Sequence, residues 1–182
     1  MEENVIVLPG TKWQIPLVQK LKRRGYRVVV LDCYEEQPAY QYADEHRIVD
    51  ILDKERVYDI AKEYSAVAVL SDECDIATPT IAWVSEKLGK PSIGMEMADV
   101  YTNKYSMREF ARKHGFATPV FYKCFSKEEA VAAYEQYGKK MIMKPLDGNS
   151  SRGVFSICST QDIKEHFEDF EGKEVSIAGR LM

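Results

Sequence analysis

Short apolar runs alternate along most of the chain with stretches in which apolar residues recur every three or four positions. Continuous runs suit strands buried on both faces, and the longer period suits helices that cover them. The pattern therefore predicts parallel strands joined by helical crossovers. Asn4 to Leu8 reads as the first strand. Ile15, Leu17, Val18 and Leu21 line one face of a helix whose basic last turn is closed by Gly25. Arg27 to Leu31 reads as the second strand and Arg47 to Val49 as a third. Asp53 is placed to cap a helix carrying Val57, Ile60, Ala61 and Tyr64 on one face. Ala66 to Leu70 reads as a fourth strand, and another helix runs to Leu88 and stops at Gly89.

The alternation pauses from Ser92 to Asp99. Tyr101 to His114 then reads as one helix ended by Gly115, with Thr118-Pro119 forcing extended chain beyond it. From Val120 the pattern becomes a strand, then a helix opened by Ser126-Lys127-Glu128-Glu129 as a capping box and closed by Gly138. Two strands joined by a polar loop follow. Thr160-Gln161-Asp162 starts one more helix, and Glu174 to Ile177 reads as the beginning of a strand whose exposed edge, near Val175, would favour pairing. The fold class expected is α/β: a Rossmann-like parallel domain over residues 1–98, then a smaller α+β unit over 99–182.

Composition narrows the partners. The 182 residues are 45% hydrophobic and 30% charged with a net charge of -4, the balance of a globular chain. A mildly acidic surface lacks the broad positive field that gathers phosphate backbones, so no nucleic acid is expected as a partner. No apolar run approaches the ~18 residues of a membrane-spanning helix. MEENVIVLPG lacks the basic segment and cleavage site of a secretory signal, so the expectation is a cytoplasmic protein without a membrane partner. Cys33, Cys74, Cys124 and Cys158 are widely spaced and expected as buried reduced thiols, and His46, His114 and His166 as solvated surface histidines. No metal site is predicted.

An N-terminal strand-turn-helix raises a dinucleotide site, with Asp32 gripping a ribose. Pro9-Gly10-Thr11-Lys12-Trp13-Gln14 argues against it, because one glycine stands where close approach to a pyrophosphate needs three; Asp32 then reads as a plain strand-end residue. The 29 carboxylates form pairs by chance, so spacing nominates no general acid or base. Lys104 and Lys144 are better placed. Lys144 ends the apolar strand Met141-Ile142-Met143, where an unpaired ammonium is expensive; it either snorkels to solvent or meets an anion. The loop Asp147-Gly148-Asn149-Ser150-Ser151-Arg152-Gly153 reads as an ordinary turn or as a backbone nest folding over phosphates.

Gly10 to Leu17, Gly25-Tyr26 to Asp32, Ala43-Asp44, Thr102-Asn103-Lys104 with Met107-Arg108-Glu109, and Met143-Lys144-Pro145 to Val154 resemble, in that order, the ATP-grasp superfamily of ATP-dependent carboxylate-amine ligases. The resemblance implies a pre-ATP-grasp domain followed by the N-terminal lobe of an ATP-grasp domain, with ATP as cofactor. Contact with the nucleotide would fall to Lys104, Lys144, Asp147, Ser150, Ser151, Arg152, Gly153 and Glu174. Glu168 to Ser176 is similar to the family's adenine hinge and ribose-binding glutamate, at a shorter spacing: either the hinge is compressed or Glu168 to Phe170 is only helix. Such ligases activate a carboxylate as an acyl phosphate that an amine or other nucleophile attacks. The implied partners are thus a nucleotide and a small-molecule carboxylate. Ligands for Mg²⁺ belong to the family's second lobe, so Mg²⁺ is expected only in a complete member. The chain by itself is not expected to complete the reaction, and homo-oligomerisation or pairing with a chain that supplies the other lobe is open. A non-catalytic binding module derived from the family is the alternative.

Overall fold

In the computed structural model, residues 3–146, 153–170 and 174–179 are described, and the chain divides into two compact units, Met1–Ala98 and Asp99–Met182. The first is built on strands β1 (Asn4–Val7), β2 (Arg27–Asp32), β3 (Glu45–Ile48) and β4 (Ala68–Leu70). They run parallel in the order β3-β2-β1-β4, so the chain reverses its winding at β1. Helices α1 (Ile15–Arg23), α2 (Lys54–Glu63) and α3 (Thr78–Lys87) cover them. Alternate strand residues feed two cores. Ile6, Val29 and Leu31 pack with Val57 and Ile60 of α2 and Val84 of α3, whereas Val5, Val7, Val28 and Val30 pack with Val18 and Leu21 of α1. Each such side chain contributes roughly 1.5–3 kcal/mol on burial, which is why β1 and β2 read as unbroken apolar runs.

Local signals hold at the helix ends. The Asp53 side chain accepts the Arg56 N–H at 3.0 Å, and Gly25 takes φ +85° just beyond α1, where a side chain would be strained. β3 begins two residues before the expected Arg47. It is an edge strand with alternating burial, and its polar residues Glu45 and Arg47 join an ion-pair group with Arg27 and Glu63.

The pause from Ser92 to Asp99 is occupied by α4 (Gly94–Thr102), and the expected single helix from Tyr101 is broken. Asn103 has extended backbone, φ -100° and ψ 119°, and its side chain accepts the N–H groups of Tyr105 and Ser106 at 2.9 and 3.1 Å. Asparagine competes with the helix by bonding nearby backbone, so it ends one helix and opens α5 (Lys104–Lys113).

The second unit is an antiparallel sheet of β5 (Phe121–Cys124), β6 (Met141–Pro145), β7 (Phe155–Ile157) and β8 (Val175–Gly179), in the order β5-β8-β6-β7. Helices α6 (Lys127–Tyr137) and α7 (Thr160–His166) bury Ala130, Ala133 and Ile163 against Met141, Met143, Val175 and Ile177. The expected exposed edge near Val175 is overturned: β8 pairs with β5 and β6, and its residues are buried throughout. Gly179 lets it lie that close, since a Cβ there would fall 2.5 Å from the Tyr137 ring. Phe167–Phe170 continues α7 as a 3-10 turn, which resolves that stretch as helical.

Ser126 caps α6 by accepting the Glu129 N–H at 3.2 Å, but Glu129 accepts from Phe125 and not from Ser126, so only half of the expected box forms there. The full box belongs to Ser159 and Asp162 at α7. Of the four free cysteines only Cys124 is buried. Cys33 and Cys158 lie just past the ends of β2 and β7 and are exposed, which corrects the expectation of buried thiols. Among the described residues no helix is long and apolar enough to cross a membrane.

Candidate functional site

The Asn103 cap makes Lys104 the first residue of α5. Its backbone N–H and its Nζ both donate to the Leu146 carbonyl, at 3.2 and 3.1 Å, which ties the start of α5 to the chain just beyond β6. A cation at a helix N-terminus works against the helix dipole, so this position does not serve the helix. Ammonium and exposed N–H groups together favour an anion. Arg108 stands one turn further on the same side of α5.

Lys144 comes to this place from β6. Met141, Met143 and Pro145 point into the core under α6 and α7, so Ile142 and Lys144 occupy the opposite face and are half-buried. Burial pulls the Lys144 ammonium below its ordinary value, and the charges of Arg108 and Lys104 push it further down. The two lysines and Arg108 therefore share one electrostatic neighbourhood. Burial also lowers Arg108, and no carboxylate among the described residues offsets it. Its Nε is buried without a hydrogen-bond partner among the described residues. Beside Lys144 in register lies Ser176, 0% exposed, whose Oγ likewise lacks a partner. Cations crowded together and half out of water are costly unless an anion joins them.

The other expected site residues divide. The Glu174 carbonyl accepts the Leu146 N–H at 3.2 Å, so its backbone abuts the cluster, while its carboxylate is held by Lys123 Nζ at 2.6 Å. Gly153, with φ +65°, returns the loop onto β6: a Cβ there would meet Phe170 at 3.3 Å and Pro145 at 3.4 Å. Asp147, Ser150, Ser151 and Arg152 lie outside the described residues. Arg108 was missed by sequence reasoning, because a helix drawn from Tyr101 hides that Lys104 is a first-turn residue with Arg108 directly above it. A groove of about 630 Å³ runs along β5 between Tyr105, Arg112, Pro119, Phe121 and Phe125 and takes in none of the three cations.

In the first unit Asp32 is fully engaged. It is 3% exposed, and its two carboxylate oxygens accept the N–H groups of Gly10 at 2.8 Å and Tyr34 at 3.2 Å. A ribose would have to displace these bonds, which supports the reading of Asp32 as structural. His46 stacks on Tyr40, His114 on Phe110 and His166 on Phe155. Among the described residues no group of three His, Cys, Asp or Glu side chains stands together to hold a metal.

A parallel sheet of order β3-β2-β1-β4 followed by a four-stranded antiparallel sheet matches the fold of the N-terminal half of ATP-grasp enzymes. The PylC-like, N-terminal domain family model matches residues 6–83. The formate-dependent phosphoribosylglycinamide formyltransferase of Bacteroides fragilis is 29% identical over 168 residues, 91% of this chain and 43% of that protein. N5-carboxyaminoimidazole synthetase from Staphylococcus aureus, solved with ADP, superposes with a TM-score of 0.84 at 20% identity, over 100% of this chain and 48% of that one. The biotin carboxylase domain of Hydrogenobacter thermophilus 2-oxoglutarate carboxylase, solved with MgADP, ADP and bicarbonate, gives 0.78 at 18% identity, over 97% and 44%. The chain is thus similar in fold, and distantly in sequence, to the N-terminal half of ATP-grasp enzymes. It spans about half the length of these relatives.

Proposed function

We propose that the chain is the ATP-binding portion of an ATP-dependent ligase that activates a small carboxylate as an acyl phosphate for attack by an amine or related nucleophile. The observation that carries this reading is the convergence of Lys104 and Lys144 at the Leu146 end of β6, with Arg108 adding to the same positive field. Lys104 holds the phosphates from a helix N-terminus, and Lys144 supplies a mobile point charge from the strand. Glu174 contacts the ribose only after exchanging its bond to Lys123. The relatives' names carry formate and bicarbonate, so a small carboxylate of that kind is the substrate class we assign.

Phosphoryl transfer depends on position and on cations that neutralise developing charge, and these residues provide the first part of that neutralisation. The test is calorimetric titration of the chain with ADP. Lys144→Ala removes one charge-assisted contact worth about 1.5–3 kcal/mol, so affinity should fall by roughly tenfold to a hundredfold. Undiminished binding by the variant would sink the assignment.

A further inference from the structure

One face of the second sheet carries Lys123, Ser176 and Lys144 in register across β5, β8 and β6, with Phe121 on the same face packing edge-to-face on Tyr105 of α5. Two of the cations near this row have partners within the chain. Lys123 is paired with Glu174, and Lys104 is bonded to the Leu146 carbonyl. Arg108, like Lys144, has none among the described residues. Its guanidinium is half-buried, its Nε is sealed from water, and no ion pair reaches it among the described residues. Lysine can escape such a position by shedding its proton, and arginine cannot. Among the described residues no carboxylate offsets this guanidinium beside two ammonium groups, and a bound anion would. Its planar fork suits phosphate oxygens better than a third point charge would.

Resting on the nucleotide reading above, we propose that Arg108 is a third cationic ligand of the same phosphates, and that it is kept without a protein partner so as to be free for them. The charge is then a cost to the ligand-free fold that the bound anion removes. A purely structural arginine, laid over the sheet by its alkyl stem, would behave in the opposite way, because its removal would weaken the fold and leave the affinity of the folded fraction unchanged.

The test titrates the 182-residue chain with ADP and with inorganic tripolyphosphate, and records the ligand-free thermal midpoint alongside. Arg108→Met keeps most of the bulk and drops the charge. It should bind both probes about tenfold or more weakly while its midpoint stays level or rises, and Arg108→Lys should recover part of the lost affinity. Should Arg108→Met fail to fold, Arg108→Gln, which keeps polar hydrogens without the charge, reads the same loss. Full affinity in the neutral Arg108 variants, with Lys144→Ala impaired, overturns this proposal and leaves the nucleotide reading standing. An unaltered chain that binds neither probe, or a Lys144→Ala variant that binds as the unaltered chain does, overturns the nucleotide reading and this proposal with it.

Discussion

The two units each place a charged side chain at the end of a central strand, and they treat that charge in opposite ways. At the end of β2, Asp32 is buried and both of its oxygens are taken by backbone N–H groups, so the carboxylate is a fastening for the turn after β1. Near the end of β6, Lys144 is half-buried beside Arg108 and Lys104, and no carboxylate is paired with it among the described residues. A polar group that the fold has satisfied contributes stability. One that the fold leaves wanting lowers stability and is maintained for a ligand. The contrast is why the proposed nucleotide site lies in the second unit, although the first has the strand-turn-helix that a dinucleotide site begins with.

The strongest way to break this contrast is Asp32→Ala. It strands two buried N–H donors that now make charge-assisted bonds, and unfolding in denaturant should lose about 2–4 kcal/mol. Affinity for ADP in the folded protein should be unchanged. A stable Asp32→Ala chain, or one that folds normally and no longer binds ADP, would reverse the roles given to the two strand ends.

Gly10→Ala probes the same corner from its other side. The added Cβ would sit 2.7 Å from the Tyr40 ring and 2.9 Å from Gln37, so the turn must shift and loosen its bond to Asp32. Overpacking of this kind costs about 1–3 kcal/mol, measurable as a lower denaturant midpoint with an unchanged slope. An unaffected midpoint would mean that the corner is plastic and that Asp32 is less tightly held than its two bonds imply.

Much of the first unit was legible because its strands are buried on both faces and write that burial as continuous apolar runs. β3 was placed two residues late for the converse reason: as an edge strand it alternates, and Glu45 and Arg47 look like loop. In the second unit the elements could be read and their arrangement could not. Strand order in an antiparallel sheet is set by pairing between distant residues, and nothing local to Val175 says that it enters between β5 and β6. Lys144 was visible as a lysine out of keeping with its apolar strand, and Lys104 stood out through the resemblance of its segment to the ATP-grasp pattern. Arg108 was not, since a missing partner is a property of the packed neighbourhood, and the one local clue, an asparagine that restarts the helix at Lys104, lies five residues away from it.

The finest measurement concerns Lys144 itself. In the unfolded chain it titrates near its ordinary 10.5, and in the fold burial and the two neighbouring cations hold it lower. Between those values the unfolded chain binds more protons than the folded one, so this residue makes stability rise with pH across that window. Below the window the charged lysine is a constant penalty, and above 10.5 the penalty is gone. Lys144→Met, which keeps the stem and removes the charge, should therefore be more stable than the unaltered chain at neutral pH. That advantage should shrink as pH climbs toward 10.5, and other titrating groups cancel in the difference. Tripolyphosphate at neutral pH should shrink it as well, by supplying the missing anion. A gap that stays flat with pH would mean that Lys144 reaches water freely, in which case the second strand end is no more frustrated than the first and the contrast between the units fails.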